Sequence, residues 1–183
     1  MGLAQARDRD AFEMLVEQQL GDVHRIAVAI VGPADAMDVT QETFVVAWQQ
    51  LPRLRNPDAF AGWLRRICVN HARQWLRRTR RRGVVASMDG GDAIRPMEVT
   101  DQRPDFRGAV EARAILEPAI GRLNPDQRAL LALHYTLGYS IAETAEVLGI
   151  RVGTAKSRLN AGLTALRTSI GTPPVTVEPE AAP

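Results

Sequence analysis

Ser140-Ile141-Ala142-Glu143-Thr144-Ala145-Glu146-Val147-Leu148-Gly149-Ile150-Arg151-Val152-Gly153-Thr154-Ala155-Lys156-Ser157-Arg158-Leu159 is the stretch on which the fold turns. Ser140 followed three residues later by Glu143 is a capping box: the Ser oxygen takes a free amide and the Glu reaches back, together worth about 1 kcal/mol. The helix so started ends at Gly149, because glycine enters the left-handed conformation at little cost. A second helix begins near Val152 and continues to about Arg167. Two helices separated only by Gly149-Ile150-Arg151 form a helix-turn-helix. Small Ala145 permits close approach, and Leu148, Ile150 and Val152 are expected to fill the angle between the helices. The second helix opens with Arg151, Thr154, Lys156, Ser157 and Arg158, donors gathered where a recognition helix meets base edges and phosphates. A plain helical hairpin with a basic face is the competing interpretation; turn length, small residues and clustered donors together favour DNA binding.

Upstream, Asn124-Pro125 is another cap-plus-proline helix start, leading through Leu130, Leu131 and Leu133. Ala109 to Gly121 reads as helical, with Pro118 expected to kink it or end it early. Residues 83–108 have no lasting period and contain Gly90-Gly91, Pro96 and Pro104, so they read as a flexible linker. The tail from Gly171 carries four prolines and reads as disordered.

The amino-terminal half reads as three helices. Phe12, Leu15, Val23, Ile26 and Ile30 recur at helical spacing until Gly32-Pro33 stops them. A second helix, about Ala34 to Gln50, draws apolar surface from Val39, Phe44, Val45 and Trp48. After the basic loop Leu51–Arg55, Asn56-Pro57 starts a third helix with Phe60, Leu64, Ile67, His71 and Trp75 along one face. Nowhere is strand-like alternation strong. The expected fold is all-α: two small helical domains, residues 1–83 and 109–170, joined by linker 84–108 and followed by tail 171–183.

The third helix is chemically lopsided. From Arg65 to Arg82 it carries eight arginines and no acid. Such a helix repels itself unless something anionic lies alongside, and phosphate contact is one remedy. Trp63 is assigned to the core, whereas Trp75 is open between core packing and base stacking. Of 23 basic residues in the chain, Lys156 is the only lysine; arginine suits phosphates and guanine edges, although a coding bias toward G and C would produce the same preference.

Other classes find little support. The single cysteine, Cys68, excludes an internal disulfide framework and fits a reducing cytoplasm. Cys68 and His71 stand three residues apart, but His24 and His134 lie in other elements, so no metal site is expected. There is no phosphate loop, nucleophile elbow or paired-carboxylate motif, hence no enzyme and no cofactor. The longest apolar run, Ile26 to Val31, is too short for a membrane span. The polar start around Arg7-Asp8-Arg9-Asp10 is unlike a signal peptide, so a cytoplasmic location is expected. Asp35, Asp38 and Glu42 share one helical side and form an acidic face suited to a basic partner surface.

These residues carry a family resemblance. Asp35-Ala36-Met37-Asp38-Val39-Thr40-Gln41-Glu42-Thr43-Phe44-Val45-Val46-Ala47-Trp48 resembles region 2.2 of the extracytoplasmic-function (ECF) sigma factors, the sigma-70 family group 4. Phe60-Ala61-Gly62-Trp63-Leu64-Arg65-Arg66-Ile67 with Asn70 resembles regions 2.3 and 2.4. Leu123-Asn124-Pro125 with Arg128, and Gly149 through Leu159, resemble region 4. The resemblance implies a factor that joins core RNA polymerase and directs initiation at promoter DNA. Asp35, Asp38, Gln41, Glu42 and Phe44 would dock on the β′ clamp. Arg53, Arg55, Asn56, Asp58, Asn70, Arg73 and Arg77 would capture the −10 element, and Arg151, Thr154, Lys156, Ser157 and Arg158 would read the −35 element. It also implies contact with the β flap, a linker near the active-site channel, and restraint by an anti-sigma factor. A self-sufficient helix-turn-helix regulator is the alternative function.

Three departures stand out from the family pattern. Met37 occupies a usually acidic position, and Thr144 replaces a usual isoleucine. Ala161-Gly162-Leu163 stands where the family often has Arg-Ala-Arg, which implies weaker −35 or flap engagement. Gly162 is also expected to weaken its helix by about 1 kcal/mol relative to alanine.

Overall fold

The computed structural model describes residues 8–88 and 115–171. Among these residues all regular structure is helical. Asp8 caps α1 (Arg9–Val31) by accepting the Ala11 amide at 3.1 Å, and Gly32, at φ 99°, turns the chain into α2 (Pro33–Gln50). Pro33 fits the first turn of α2 because its missing amide would be unsatisfied there. Two short 3-10 turns, Leu51–Arg53 and Pro57–Ala59, lead to α3 (Phe60–Met88). Asn56 caps the second by accepting the Asp58 amide.

These three helices form one bundle. Val23, Ile26, Ala27 and Ile30 of α1 share a core with Ala36, Val39, Phe44 and Ala47 of α2 and Leu64, Cys68 and Ala72 of α3. The stripes recur every three or four residues, as amphipathic helices require. Trp63 packs against this core as expected. Trp75 packs against it too and is half-buried, and its indole Nε1 is buried without a hydrogen-bond partner among the described residues. Val45, expected to supply apolar surface to the bundle, points outward and is 54% exposed. It falls two residues past Thr43, about 200° around the helix from that buried side chain, and so on the side away from the core.

α3 continues past Gly83 to Met88; the rest of the expected linker, 89–108, lies outside the described residues, as do 109–114 and 172–183. Residues 115–122 form α4, which passes through Pro118, so the early end expected there does not occur. α5 (Pro125–Leu131) opens with a capping box between Asn124 and Gln127 and closes in a wide π turn, Ala132–Thr136. There the Leu137 amide reaches back to the Ala132 carbonyl, and the Tyr139 carbonyl accepts from His134 Nδ1 at 2.7 Å.

α6 (Ile141–Leu148) and α7 (Val152–Ser169) complete the helix-turn-helix. Ser140 and Glu143 form the expected capping box, and Gly149 sits in the left-handed region at φ 66°, ψ 35°. Ala145 and Ala155, both 1% exposed, let the helices cross closely, with Leu148 and Ile150 packed alongside. Val152 does not join them. It begins α7 a turn ahead of the buried Ala155–Leu159 stripe and remains 44% exposed.

The two halves are packed on one another. Ala129, Ala132, Leu133 and Val147 of the carboxy-terminal half belong to the same buried cluster as the first bundle. Leu123, Leu130, Leu131, Ala145, Ala155 and Leu159 form a second, smaller core.

Candidate nucleic-acid interface

The third helix and the recognition helix carry the candidate DNA contacts in opposite states of engagement. On α7, Arg151, Lys156, Ser157 and Arg158 are exposed, and Thr154 is half-buried. Ser157 donates its hydroxyl to the Thr154 carbonyl at 3.0 Å, leaving its oxygen lone pairs outward. Arg151 at the N-cap provides no side-chain acceptor, and the first turn contains no acid. Uncapped amides and clustered cations at a helix N-terminus form a ready anion site. α6, by contrast, is closed by its own cap: hydrogen bonds from Ser140 hold the Glu143 carboxyl below the usual carboxylate range.

α3 is engaged. Arg73 is held by Asp126 of α5, with only 16% of its side chain exposed, and also donates to Asn70 Oδ1 at 3.3 Å. Arg77 donates to both Asp126 oxygens, at 3.1 and 3.3 Å. Arg66 meets Glu146 of α6 at its carboxylate (3.2 Å) and its carbonyl (3.1 Å). Arg65 lies 3.8 Å from Asp22, and Arg80 donates to the Arg122 carbonyl. The anion this helix requires is therefore supplied in part by the chain itself. Sequence reading missed Asp126, Glu146 and Asp22, because nothing local to those residues marks their partners. Arg78, Arg81 and Arg82 are exposed and have no ion-pair partner among the described residues.

The loop before α3 leaves Arg53, Arg55, Asn56 and Asp58 exposed, with Asn56 Oδ1 committed to its cap. Asn70 is exposed on the same helix as Arg73 and Arg77. The expected −10 residues are thus divided between this loop and the middle of α3, where Asn70, Arg73 and Arg77 lie.

On α2, Asp38 and Gln41 are exposed, and Asp35 and Glu42 are half-buried. Glu42 lies 3.4 Å from His71 Nδ1. Phe44 is a correction to the expected surface set: it is 9% exposed and belongs to the bundle core. It sits one turn beyond Thr40 on the inward stripe and borders a shallow cleft with Phe12, Val45 and Trp48. Met37, 53% exposed, and Val45 are the apolar residues this helix presents outward.

Cys68 is enclosed, with its Sγ donating to the Val23 carbonyl at 3.5 Å, and burial pushes the thiol up to about 12. A thiol so far from ionising is a poor nucleophile or ligand. No group of three or more His, Cys, Asp or Glu is placed to hold a metal among the described residues. No described helix is long and apolar enough to cross a membrane.

Gly162 also acquires a role the sequence did not suggest. It is buried against α5, where an added Cβ would lie 3.3 Å from a Leu131 methyl. Close approach explains a residue that helix propensity disfavours. Neighbouring Leu163 lines an apolar cleft of about 250 Å³ with Ala29, Ile120, Leu123, Leu131 and Leu166.

Comparison with known proteins gives two family matches along the chain. Residues 15–82 match sigma-70 region 2, and residues 113–166 match sigma-70 region 4. The chain is 32% identical over 170 residues to the ECF RNA polymerase sigma factor SigL of Mycobacterium tuberculosis, covering 91% of this chain and 93% of that one. It is 32% identical over 175 residues to the "Probable RNA polymerase sigma factor RfaY" of Xanthomonas campestris pv. campestris. That match covers 91% of this chain but only 42% of the longer relative. Among solved structures, CnrH in complex with the cytosolic domain of CnrY superposes with a TM-score of 0.59 at 26% identity, covering 93% of this chain and 94% of that one.

Proposed function

This chain belongs to the extracytoplasmic-function sigma factors of the sigma-70 family, and on that premise we propose that it binds core RNA polymerase and directs initiation at promoters with −35 and −10 elements. The observation that carries the reading is the pairing, on one chain, of an open donor cluster at the start of α7 with an arginine-rich α3 in the family's order.

In this reading the start of α7 enters the major groove of the −35 element. Arg151, Lys156 and Arg158 supply cations, Thr154 and Ser157 short polar contacts, and the uncapped amides meet a phosphate. Asn70, Arg73 and Arg77 of α3, with Arg53, Arg55, Asn56 and Asp58 of the preceding loop, hold the −10 element. Bases drawn from the stack there need a pocket and cations whose binding offsets the cost of opening the duplex. Asp35, Asp38, Gln41 and Glu42 present carboxylates and an amide to the β′ clamp, with Phe44 supporting that surface from beneath. The carboxy-terminal half touches the β flap. Regulation by an anti-sigma factor is in keeping with CnrH, solved as a complex with the cytosolic domain of CnrY. The factor acts in the cytoplasm, and the chemistry of RNA synthesis belongs to polymerase.

Reconstituted transcription tests this. Core polymerase with the purified chain, on a candidate promoter from the same organism, should yield one mapped start preceded by both elements. Promoter binding by the chain alone, without co-purification of core polymerase, would instead identify a stand-alone regulator.

A further inference from the structure

We propose that the tail of this chain, residues 172–180, lies in the apolar cleft between α4 and α7 and covers it. The proposal stands apart from promoter recognition and uses none of the residues assigned to DNA.

Two helical stripes build the cleft. On α4, Leu116, Ile120 and Leu123 recur at i, i+4 and i+7 and so share one face; on α7, Leu163, Leu166 and Ile170 do the same at i, i+3 and i+7. Ile120, Leu123, Leu163 and Leu166 line an open volume of about 250 Å³. Leu116 is 40% exposed, and Leu163, Leu166 and Ile170 are only half-buried. Tyr135 lines the same cleft and is 59% exposed. Apolar surface gathered into a concavity in this way is placed to be covered.

The tail leaves the fold beside it. Arg122 at the end of α4 donates to Ser169 Oγ at 2.9 Å, so α4 and α7 end side by side. There Gly171, at φ 73°, turns the chain out of α7. Residues 172–177, extended as polyproline II, span roughly 19 Å, against roughly 11 Å of helix between Leu163 and Ile170. The cleft is within reach.

The sequence of the tail suits such a site. Thr172-Pro173-Pro174-Val175-Thr176-Val177-Glu178-Pro179-Glu180 has too few apolar residues to fold by itself, and orders only on a surface that supplies the rest. Pro173 and Pro174 preset an extended chain, which lowers the entropy lost on docking. Proline-rich segments pack on exposed aromatic rings, and Tyr135 offers one. Val175 and Val177, alternate residues of an extended segment, point to the same side. Glu178 and Glu180 are the only charges in the tail. Arg128 lines the cleft, Arg122 and Arg167 stand at the ends of its two helices, and no acid lines it. A second copy would bring the same arginines and be repelled. Tethering supplies an effective concentration on the order of millimolar, so a contact too weak to capture a free peptide still holds the tail.

The test uses the full chain, isotope-labelled for nuclear magnetic resonance. Backbone order parameters of Val175 and Val177 should exceed about 0.6, below which a chain is flexible. Their methyls should show Overhauser contacts to Leu163, Leu166 or the Tyr135 ring. Val175→Asp with Val177→Asp alters no residue of the helices. It should abolish those contacts and raise binding of the apolar dye ANS by about twofold. Glu178→Lys with Glu180→Lys should lower the order parameters. Flexible tail amides without contact to the cleft overturn the proposal, as does ANS binding equal in the Asp variant and the unaltered chain. Contacts that fade on dilution, with a dimer seen by sedimentation, make a second copy the occupant and overturn it too. None of these measurements involves polymerase or promoter, so failure here and failure of the sigma-factor reading are told apart.

Discussion

α3 and α7 are both cation-rich helices expected to touch DNA, yet one is occupied and the other free. On α3, Arg66, Arg73 and Arg77 are bound to carboxylates of the other half of the chain. On α7, Arg151, Lys156 and Arg158 face solvent at the mouth of an uncapped helix. Composition alone does not separate the two. What separates them is whether an acidic helix start lies opposite, as Asp126 does for α3. A cluster of arginines therefore marks a demand for anions, and tertiary packing decides which anion meets it first.

The sharpest way to break this contrast is to remove donors from each helix. Arg151→Ala with Arg158→Ala should lower promoter-directed transcription by about tenfold or more, and should make the salt dependence of DNA binding shallower by about two contacts. The matched pair on α3, Arg73→Ala with Arg77→Ala, should change polymerase-free duplex binding by less than about twofold, because those donors are already taken. Equal losses from the two pairs, read by anisotropy titrations across salt, would erase the distinction.

A smaller effect comes from the turn that aims α7. Gly149→Ala forces a side chain into the left-handed region at φ 66° and should cost about 1 kcal/mol in a denaturant melt, with weaker −35 protection in footprints. An unchanged midpoint would mean that the turn relaxes freely.

Three buried threonines allow a finer comparison of the halves. Thr40 and Thr43 on α2 donate their hydroxyls at 2.7 Å to Ala36 and Val39 carbonyls. Thr144 on α6 is equally buried, and its Oγ1 has no hydrogen-bond partner among the described residues. Thr144→Val should raise stability by about 1 kcal/mol, whereas Thr43→Val should lower it by a similar amount, both measured by chemical denaturation. Smallest of all, Arg66→Ala should shift overall stability by less than about 1 kcal/mol, since its pair with Glu146 is exposed.

Much of the candidate site was legible before folding. The Asn124 and Ser140 caps, the Gly149 turn and the exposed donors at the start of α7 all stand where local patterns place them. The burial of Phe44 and the exposure of Val45 and Val152 are not legible in the sequence, because apolar character does not tell which side of a helix a neighbour covers. Gly162 read as a weakness in α7 until Leu131 was seen 3.3 Å from where its Cβ would be.

The division has a physical basis. Helix periods, caps and left-handed glycines are settled by interactions within about four residues, so the amino-acid order by itself determined the helices, their ends and the clusters of donors. Arg73 meets Asp126 across 53 residues and Arg66 meets Glu146 across 80, so those pairings exist only once both halves have packed. Whether each arginine is offered to DNA or held in reserve was decided by the tertiary structure, because Coulomb pairing depends on distance in space and leaves no trace in sequence spacing.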